Sequence, residues 1–318
     1  MRHLSATAIA VATAAGLAWP AQAETIAVFT KSQTNPLAVA VRVGSDAAAK
    51  ALGAKVVHYL PNKADSVPDQ VLQIDDAIAA KPDAVVFIPV DVKALVPAVE
   101  KLNAAGIPVT NIVDKVAGGK LVAFVGADDY NVGRETARHL FKAMGGNGNV
   151  VILEGQAGTL TNTARLQGFN DALKEFSGIK LLASKPANYQ RRQAVEVTDE
   201  LLRSFPQIDG VLAANDPMAI GAADALDKAK RKALVAGING SKEAVDLIKA
   251  GRLAVSGEFD GFALGCLGIE AAVRDLRKQP VPTEVILPPS VIDKGNAERY
   301  ETPIAQRQCP KLDDVTKR

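Results

Sequence analysis

The side chains that could do chemistry gather in a few short stretches: Lys31 to Asn35, Val90-Asp91, Asn111 to Lys115, Ala127-Asp128-Asp129, Gly155 to Thr163, Asn188-Tyr189, Asn215-Asp216, Asn239-Gly240 and Glu258 to Asp260. These stretches are rich in Asn and Asp and poor in His and Cys, which suits hydrogen bonding to hydroxyl groups better than covalent or metal chemistry. The parts of an enzyme are hard to find. His58 and His139 neighbour no cysteine and no acid pair at ligand spacing, and His58 beside Tyr59 reads as edge-strand surface. The stretch after Thr30 lacks the G-x-G-x-x-G turn of dinucleotide sites, and no G-x-x-x-x-G-K-[ST] occurs. Gly118-Gly119-Lys120 has neither the upstream Gly nor the following hydroxyl of a phosphate loop and reads as a plain turn. Carboxylates are plentiful, but no single pair marks a two-acid hydrolase. Neither catalysis, a cofactor nor a metal is expected.

The elements that must position these stretches repeat one theme, a short apolar strand followed by an amphipathic helix, with Gly, Pro or Asp at the joints. Strands are predicted at 26–30, 56–60, 84–90, 109–113 and 122–126, then again at 150–154, 180–184, 210–214, 234–237, 254–257 and near 285–287. Helical spacing is predicted over 95–105, 132–144, 163–176, 191–205, 245–249 and 262–277. The strands read as continuous apolar runs, as strands buried on both faces do. Two successive open sheets cannot share one core at this length, so the fold expected is α/β, two doubly wound parallel-sheet lobes. Such sheets place ligands outside the carboxyl ends of their strands, which is where the polar stretches fall.

At the amino end, Arg2, a small and apolar run from Leu4 to Trp19 and Pro20-Ala21-Gln22-Ala23 have the form of a secretory signal peptide, with 1–23 removed and Glu24 first in the mature chain. That stretch is Ala-rich and no later one is long or apolar enough to span a bilayer. With 37 basic and 35 acidic residues the chain carries no strong field, so nucleic acid and anionic membrane are not expected partners. Two cysteines, Cys266 and Cys309, are too few for a disulfide framework. Their pairing stays open between a buried thiol with an exposed one and a single bridge.

Several segments together carry a family resemblance. Thr34-Asn35-Pro36, Ile107-Pro108-Val109 leading to Asp114-Lys115, Val125-Gly126-Ala127-Asp128-Asp129, Arg165-x-x-Gly168-Phe169 and Ala213-Ala214-Asn215-Asp216-Pro217-Met218-Ala219-x-Gly221 resemble the type I periplasmic sugar-binding proteins, most of all the ribose-binding group of the ABC importers. Their fold is shared with the effector domains of lactose-repressor-type regulators. The resemblance implies a three-segment hinge near Ala127-Asp128, Phe259-Asp260 and Leu287 to Pro289. It implies an N-terminal lobe of 24–127 with 260–287 and a C-terminal lobe of 128–259 with 288–318. A regulator is disfavoured, because the first strand follows Glu24 at once and leaves no room for a DNA-reading helix-turn-helix.

The same resemblance implies the site. Asn35, Asp114 and Lys115 would contact ligand from one lobe, with Asn111 as a substitute in a slightly longer strand, and Tyr189, Asn215 and Asn239 from the other. Thr163 stands where the ribose group has a ligand Arg, and Arg165 matches a structural one. Asp216 is expected to cap the following helix. Leu37 and Ala38 replace two aromatic residues, Asn239 replaces an Asp and Phe259 stands where Gln is expected, so the ligand differs from ribose. A monosaccharide, a sugar-like polyol or a non-sugar small molecule is the ligand class, an inner-membrane ABC permease the expected partner, and a chemoreceptor or sensor kinase a further one. A monomer is expected.

Overall fold

The computed structural model describes residues 23–315. The predicted leader lies outside the described residues except for Ala23. The first sheet contains β1 (Thr25–Phe29), β2 (Lys55–Tyr59), β3 (Ala84–Phe87), β4 (Val109–Ile112), β5 (Ala123–Ala127) and β11 (Glu284–Leu287), in the order β11-β5-β4-β3-β1-β2 with every pairing parallel. Side chains alternate across a strand, so one short apolar run feeds two layers. Ile26 and Val28 of β1 join the core under α1 (Pro36–Leu52) and α9 (Gly261–Leu276). Ala27 and Phe29 face the opposite layer, with Ile74 of α2 (Val67–Ala80) and Val99 of α3 (Val96–Ala104).

The second sheet contains β6 (Asn147–Glu154), β7 (Gly178–Pro186), β8 (Gly210–Ala213), β9 (Leu234–Ile238), β10 (Val255–Glu258) and β12 (Ser290–Asp293), in the order β12-β10-β9-β8-β6-β7. Its helices are α4 (Asp129–Ala143), α5 (Leu160–Glu175), α6 (Arg191–Ser204), α7 (Asp216–Lys228) and α8 (Lys242–Lys249). The sheet is not wholly parallel, since β12, a strand not anticipated from sequence, pairs antiparallel with β10. The fold is the expected pair of α/β lobes. The chain passes between them after β5, between β10 and α9, and between β11 and β12.

The tail closes the alternative left open for the two cysteines and reaches both lobes. Cys266 of α9 and Cys309 form a disulfide, so neither thiol is free. The described part of the segment 288–318 touches both lobes. After β12 a 3-10 turn (Ala297–Tyr300) packs on α8, but the next one (Ile304–Gln306) packs on α1 and α10 (Leu312–Val315) on α9 and β11. The physical cause is the bridge together with Leu312, which is fully buried against the first lobe. His58 lies on the edge strand β2, bonded to Asp46 at 2.9 Å.

Candidate functional site

A cavity opens between the carboxyl ends of the two sheets and is walled by both lobes. The first lobe contributes Lys31, Asn35, Leu37, Ala38, Asp65, Ile88, Val113 and Asp114, and the second Gln156, Thr159, Thr161, Arg165, Tyr189, Gln190, Asn215 and Asn239. The Thr161 hydroxyl donates to Asp114 Oδ1 across the cleft and joins the walls directly. Backbone strain concentrates here. Of eight non-glycine residues with positive φ among the described residues, Asp65, Val113, Tyr189 and Asn239 line this one cavity. Val113, β-branched at φ 70°, is costly there, as is Asn239 at φ 137°, and such outliers persist where surrounding structure holds a functional geometry.

On the first-lobe wall, charge is neutralised within the protein. Lys31 Nζ, directly after β1, pairs with Asp114 Oδ2. Burial pulls the Lys31 pKa down, but the Asp114 charge and hydrogen bond outweigh it and leave it above the ordinary lysine value. Burial pushes Asp114 up, yet Lys31 and Thr161 together hold it below the usual carboxylate range. Asp65 is raised by its burial, against the opposing pull of Lys31. Asn35 caps α1, its Oδ1 accepting from Leu37 N at 3.0 Å, which leaves the amide nitrogen for the cavity.

The second-lobe wall is different. Arg165 is 2 % exposed and donates from Nε to Asp129 Oδ1 at 2.8 Å and from Nη1 to Ala214 O at 2.6 Å. Its guanidinium also lies 4.9 Å from the centroid of the Phe259 ring. Nη2 has no partner. Burial raises Asp129 to about 6, in spite of the neighbouring guanidinium. The Arg165 backbone sits where α4 and α5 touch, close enough that a Cβ on Gly133 would fall 2.7 Å from Arg165 O.

Tyr189 is held with its ring on Gly155, where any Cβ would collide with it at 2.1 Å. Burial raises its pKa, and its hydroxyl makes no hydrogen bond of good geometry although the Thr159 side chain lies close by. Asn215 is the cap of α7: Oδ1 accepts from Met218 N at 3.0 Å and Nδ2 donates to Tyr189 O at 3.2 Å. Asn239, at φ 137°, has a buried Oδ1 without a partner. Buried polar atoms in this condition are rare because each forgoes a hydrogen bond worth having, so three on one wall mark a surface shaped for a polar molecule.

The structure thus brings Asn35, Asp114, Tyr189, Asn215 and Asn239 to one cavity and leaves three predicted residues outside it. Lys115 follows Asp114 in the bend after β4, where Val113 has φ 70°, and points away from the cavity. Its Nζ pairs with Glu284 Oε1 at 2.7 Å and sits 5.3 Å from the Phe124 ring. Lys31 supplies the first lobe's cation to the cavity instead. Asn111 is fully buried and fastens the loop: Nδ2 donates to Phe87 O at 2.9 Å and Asp114 O at 3.0 Å, and Oδ1 accepts from Val116 N at 2.8 Å.

Thr163 is exposed and donates to Thr159 O within its own helix. Residues four apart share a helix face and residues two apart do not, so Thr161 and Arg165 can both face the cavity only if Thr163 turns away. That spacing was the signal for Thr161 and Arg165, two lining residues that sequence reasoning missed. Asp216 is not the helix cap expected. Asn215 takes that place, and Asp216 accepts from Ser241 N at 2.7 Å and Ser256 Oγ at 2.6 Å, fastening β9 and β10 behind the wall.

Two doubly wound lobes with a polar cavity between the carboxyl ends of both sheets define the class of two-lobed binding proteins. A sequence profile described as the periplasmic binding protein domain matches residues 26–280, and the chain belongs to that family. The family places it in the periplasm. It is 32 % identical over 257 residues to the D-allose-binding periplasmic protein of Escherichia coli, covering 78 % of this chain and 83 % of the relative. It is 31 % identical over 268 residues to a xylitol-binding protein of Mycolicibacterium smegmatis, covering 83 % and 76 %. Among solved structures, a periplasmic solute-binding protein of an ABC transporter from Actinobacillus succinogenes with bound D-allose superposes with a TM-score of 0.84. That pair shares 33 % identity, with 87 % of this chain and all of the other covered. These relatives are binding proteins, not enzymes.

Proposed function

We propose that this chain is the solute-binding component of an ABC-type importer and captures a neutral monosaccharide or sugar-like polyol between its lobes. The observation that carries the reading is the second-lobe wall, where Arg165 Nη2, Tyr189 Oη and Asn239 Oδ1 are buried without partners of good geometry around one cavity. A polyhydroxylated molecule supplies both donors and acceptors to such a set. The lining residues carry two cations, Lys31 and Arg165, and two carboxylates, Asp114 and Asp65, so the lining itself offers no excess charge to an anionic or cationic ligand. Leu37, Ala38, Ile88 and Val113 face the carbon skeleton, and Tyr189 is the one ring among the lining residues. The named ligands of the relatives, D-allose and xylitol, have this chemistry.

In this reading 24–127 with 260–287 moves against 128–259 with β12, and closure is stabilised by ligand contacts made only when the lobes meet. The closed form docks on a permease, and the leader is cleaved before Glu24. Thermal unfolding of residues 24–318 against pentoses, hexoses, short polyols, sugar acids and amino acids tests it. At a thousandfold excess over Kd a ligand specific to the folded form adds about 4 kcal/mol, a midpoint rise of several degrees. A rise with a neutral sugar or polyol and none with the charged compounds is expected. A rise only with sugar acids or amino acids overturns the proposal.

A further inference from the structure

The segment after β12 has no part in the ligand cavity, yet it makes a fourth passage between the lobes. On the second lobe, the Tyr300 hydroxyl donates to Glu258 Oε2 at 3.0 Å, and Glu301 pairs with Lys249 at the end of α8. On the first lobe, the turn Ile304–Gln306 rests on α1, Arg307 approaches Asp260 at 3.7 Å and Cys309 is bonded to Cys266 of α9. Beyond the bridge, Leu312 N donates to Glu270 at 2.9 Å, and Arg274 donates to Asp313 at 2.8 Å. Only Thr302 and Pro303 lie between Glu301 and Ile304, so three Cα-to-Cα steps separate the two, at most about 11 Å when fully extended.

The passage is not packing material. Tyr300, Thr302 and Arg307 border one cavity toward the hinge strands and another toward the starts of α1 and α8, so the segment stands as a bar between two open spaces. The three hinge passages lie at 127–129, 258–261 and 287–290; this one runs beside the second of them, touching Glu258 and Asp260, and reaches beyond it from α8 to α1.

We propose that residues 297–315 form a strap, fixed covalently to the first lobe by the Cys266–Cys309 bridge and held on the second by Tyr300 and Glu301, that limits how far the cleft opens. A disulfide suits this duty in an oxidising compartment, because it makes the first-lobe anchor covalent, while the other end is continuous with β12 through the chain itself.

Small-angle scattering of the protein without added ligand provides the test. The parent is compared with Cys266→Ser/Cys309→Ser, with a chain ending at Glu301, and with the parent in dithiothreitol. The strap predicts a larger radius of gyration and a longer maximum dimension for both variants and for the reduced parent, and no response of the double-serine variant to dithiothreitol. Scattering equal to the parent's in all three, even with a lowered unfolding midpoint, would show that the bridge merely staples the tail to one lobe and overturns the proposal. A truncated chain that opens while the bridge-free one does not overturns the role given to the bridge. Should the truncated chain fail to fold, the double-serine variant and the reduced parent decide alone.

Discussion

The two walls of the cavity handle polarity in opposite ways. The first lobe satisfies its own buried charges, Lys31 against Asp114, and adds apolar surface from Leu37, Ala38 and Ile88. The second lobe leaves Arg165 Nη2, Tyr189 Oη and Asn239 Oδ1 unsatisfied. One wall is complete as folded, whereas the other is completed by what it binds. Removing a group from the first should therefore show mainly in folding, and removing one from the second mainly in affinity, since an unpaired atom contributes nothing to the folded state until a partner arrives.

The severest test of that contrast is Lys31→Met, which leaves Asp114 buried without its cation. Breaking a buried pair in this way costs about 3–5 kcal/mol of unfolding free energy, and Asp114→Asn added to it should restore most of the loss in urea titrations. Recovery absent from the double variant would mean that Lys31 packs rather than neutralises.

The Asp129 carboxyl offers a second test, through pH. Its folded pKa of about 6 stands above the unfolded value near 3.9, so the folded state holds the proton more tightly. Its contribution is therefore fully present below about pH 4 and lost as pH rises through about 6, a change of about 3 kcal/mol. Subtracting the stability profile of Asp129→Asn from the parent's should isolate that fall. A difference profile that is flat from pH 4 to 7 would place the burden of burial on Arg165 instead.

On the second wall, Asn239→Gly keeps a backbone suited to φ 137° while deleting the orphan acceptor. Affinity for the sugar or polyol found by thermal shift should fall by about 5- to 150-fold, about 1–3 kcal/mol, with the unfolding midpoint no lower than the parent's. A variant that binds as the parent does removes Asn239 from the contact set. The smallest effect belongs to Lys115→Ala, whose exposed pair with Glu284 is worth at most about 1 kcal/mol. Its calorimetric affinity should match the parent's, and a tenfold loss would return Lys115 to the site.

Much of the fold was legible because apolar runs, helical spacing and turn residues all pointed to the same α/β alternation. Placing the site at strand ends followed from topology, and Asn35, Asp114, Tyr189, Asn215 and Asn239 do stand on one cavity. What failed was facing. Whether Asp114 or Lys115 turns inward depends on the positive φ at Val113, which no propensity for a β-branched residue would suggest. Thr163 and Arg165 were assigned by matched position, although helix phase separates Thr163 from the face that Thr161 and Arg165 share. Asn111 stands as a substitute ligand group on sequence because the strand before Asp114 reads as slightly longer than in the ribose group, but its amide is spent on Phe87, Asp114 and Val116. The antiparallel β12 and the returning tail rest on long-range pairing and a disulfide, which local sequence does not encode.

The strained backbone at Asp65, Val113, Tyr189 and Asn239 also sets a direction for change in this scaffold. At those four positions a new side chain inherits a conformation that only a few residue types accept without cost, so they form the inherited frame of the cavity. Leu37, Ala38 and Ile88 carry no such constraint and sit on the self-sufficient wall. Drift in ligand preference, or its deliberate redirection for a biosensor, would run through those three, where size and shape can vary while the donors and acceptors opposite stay fixed.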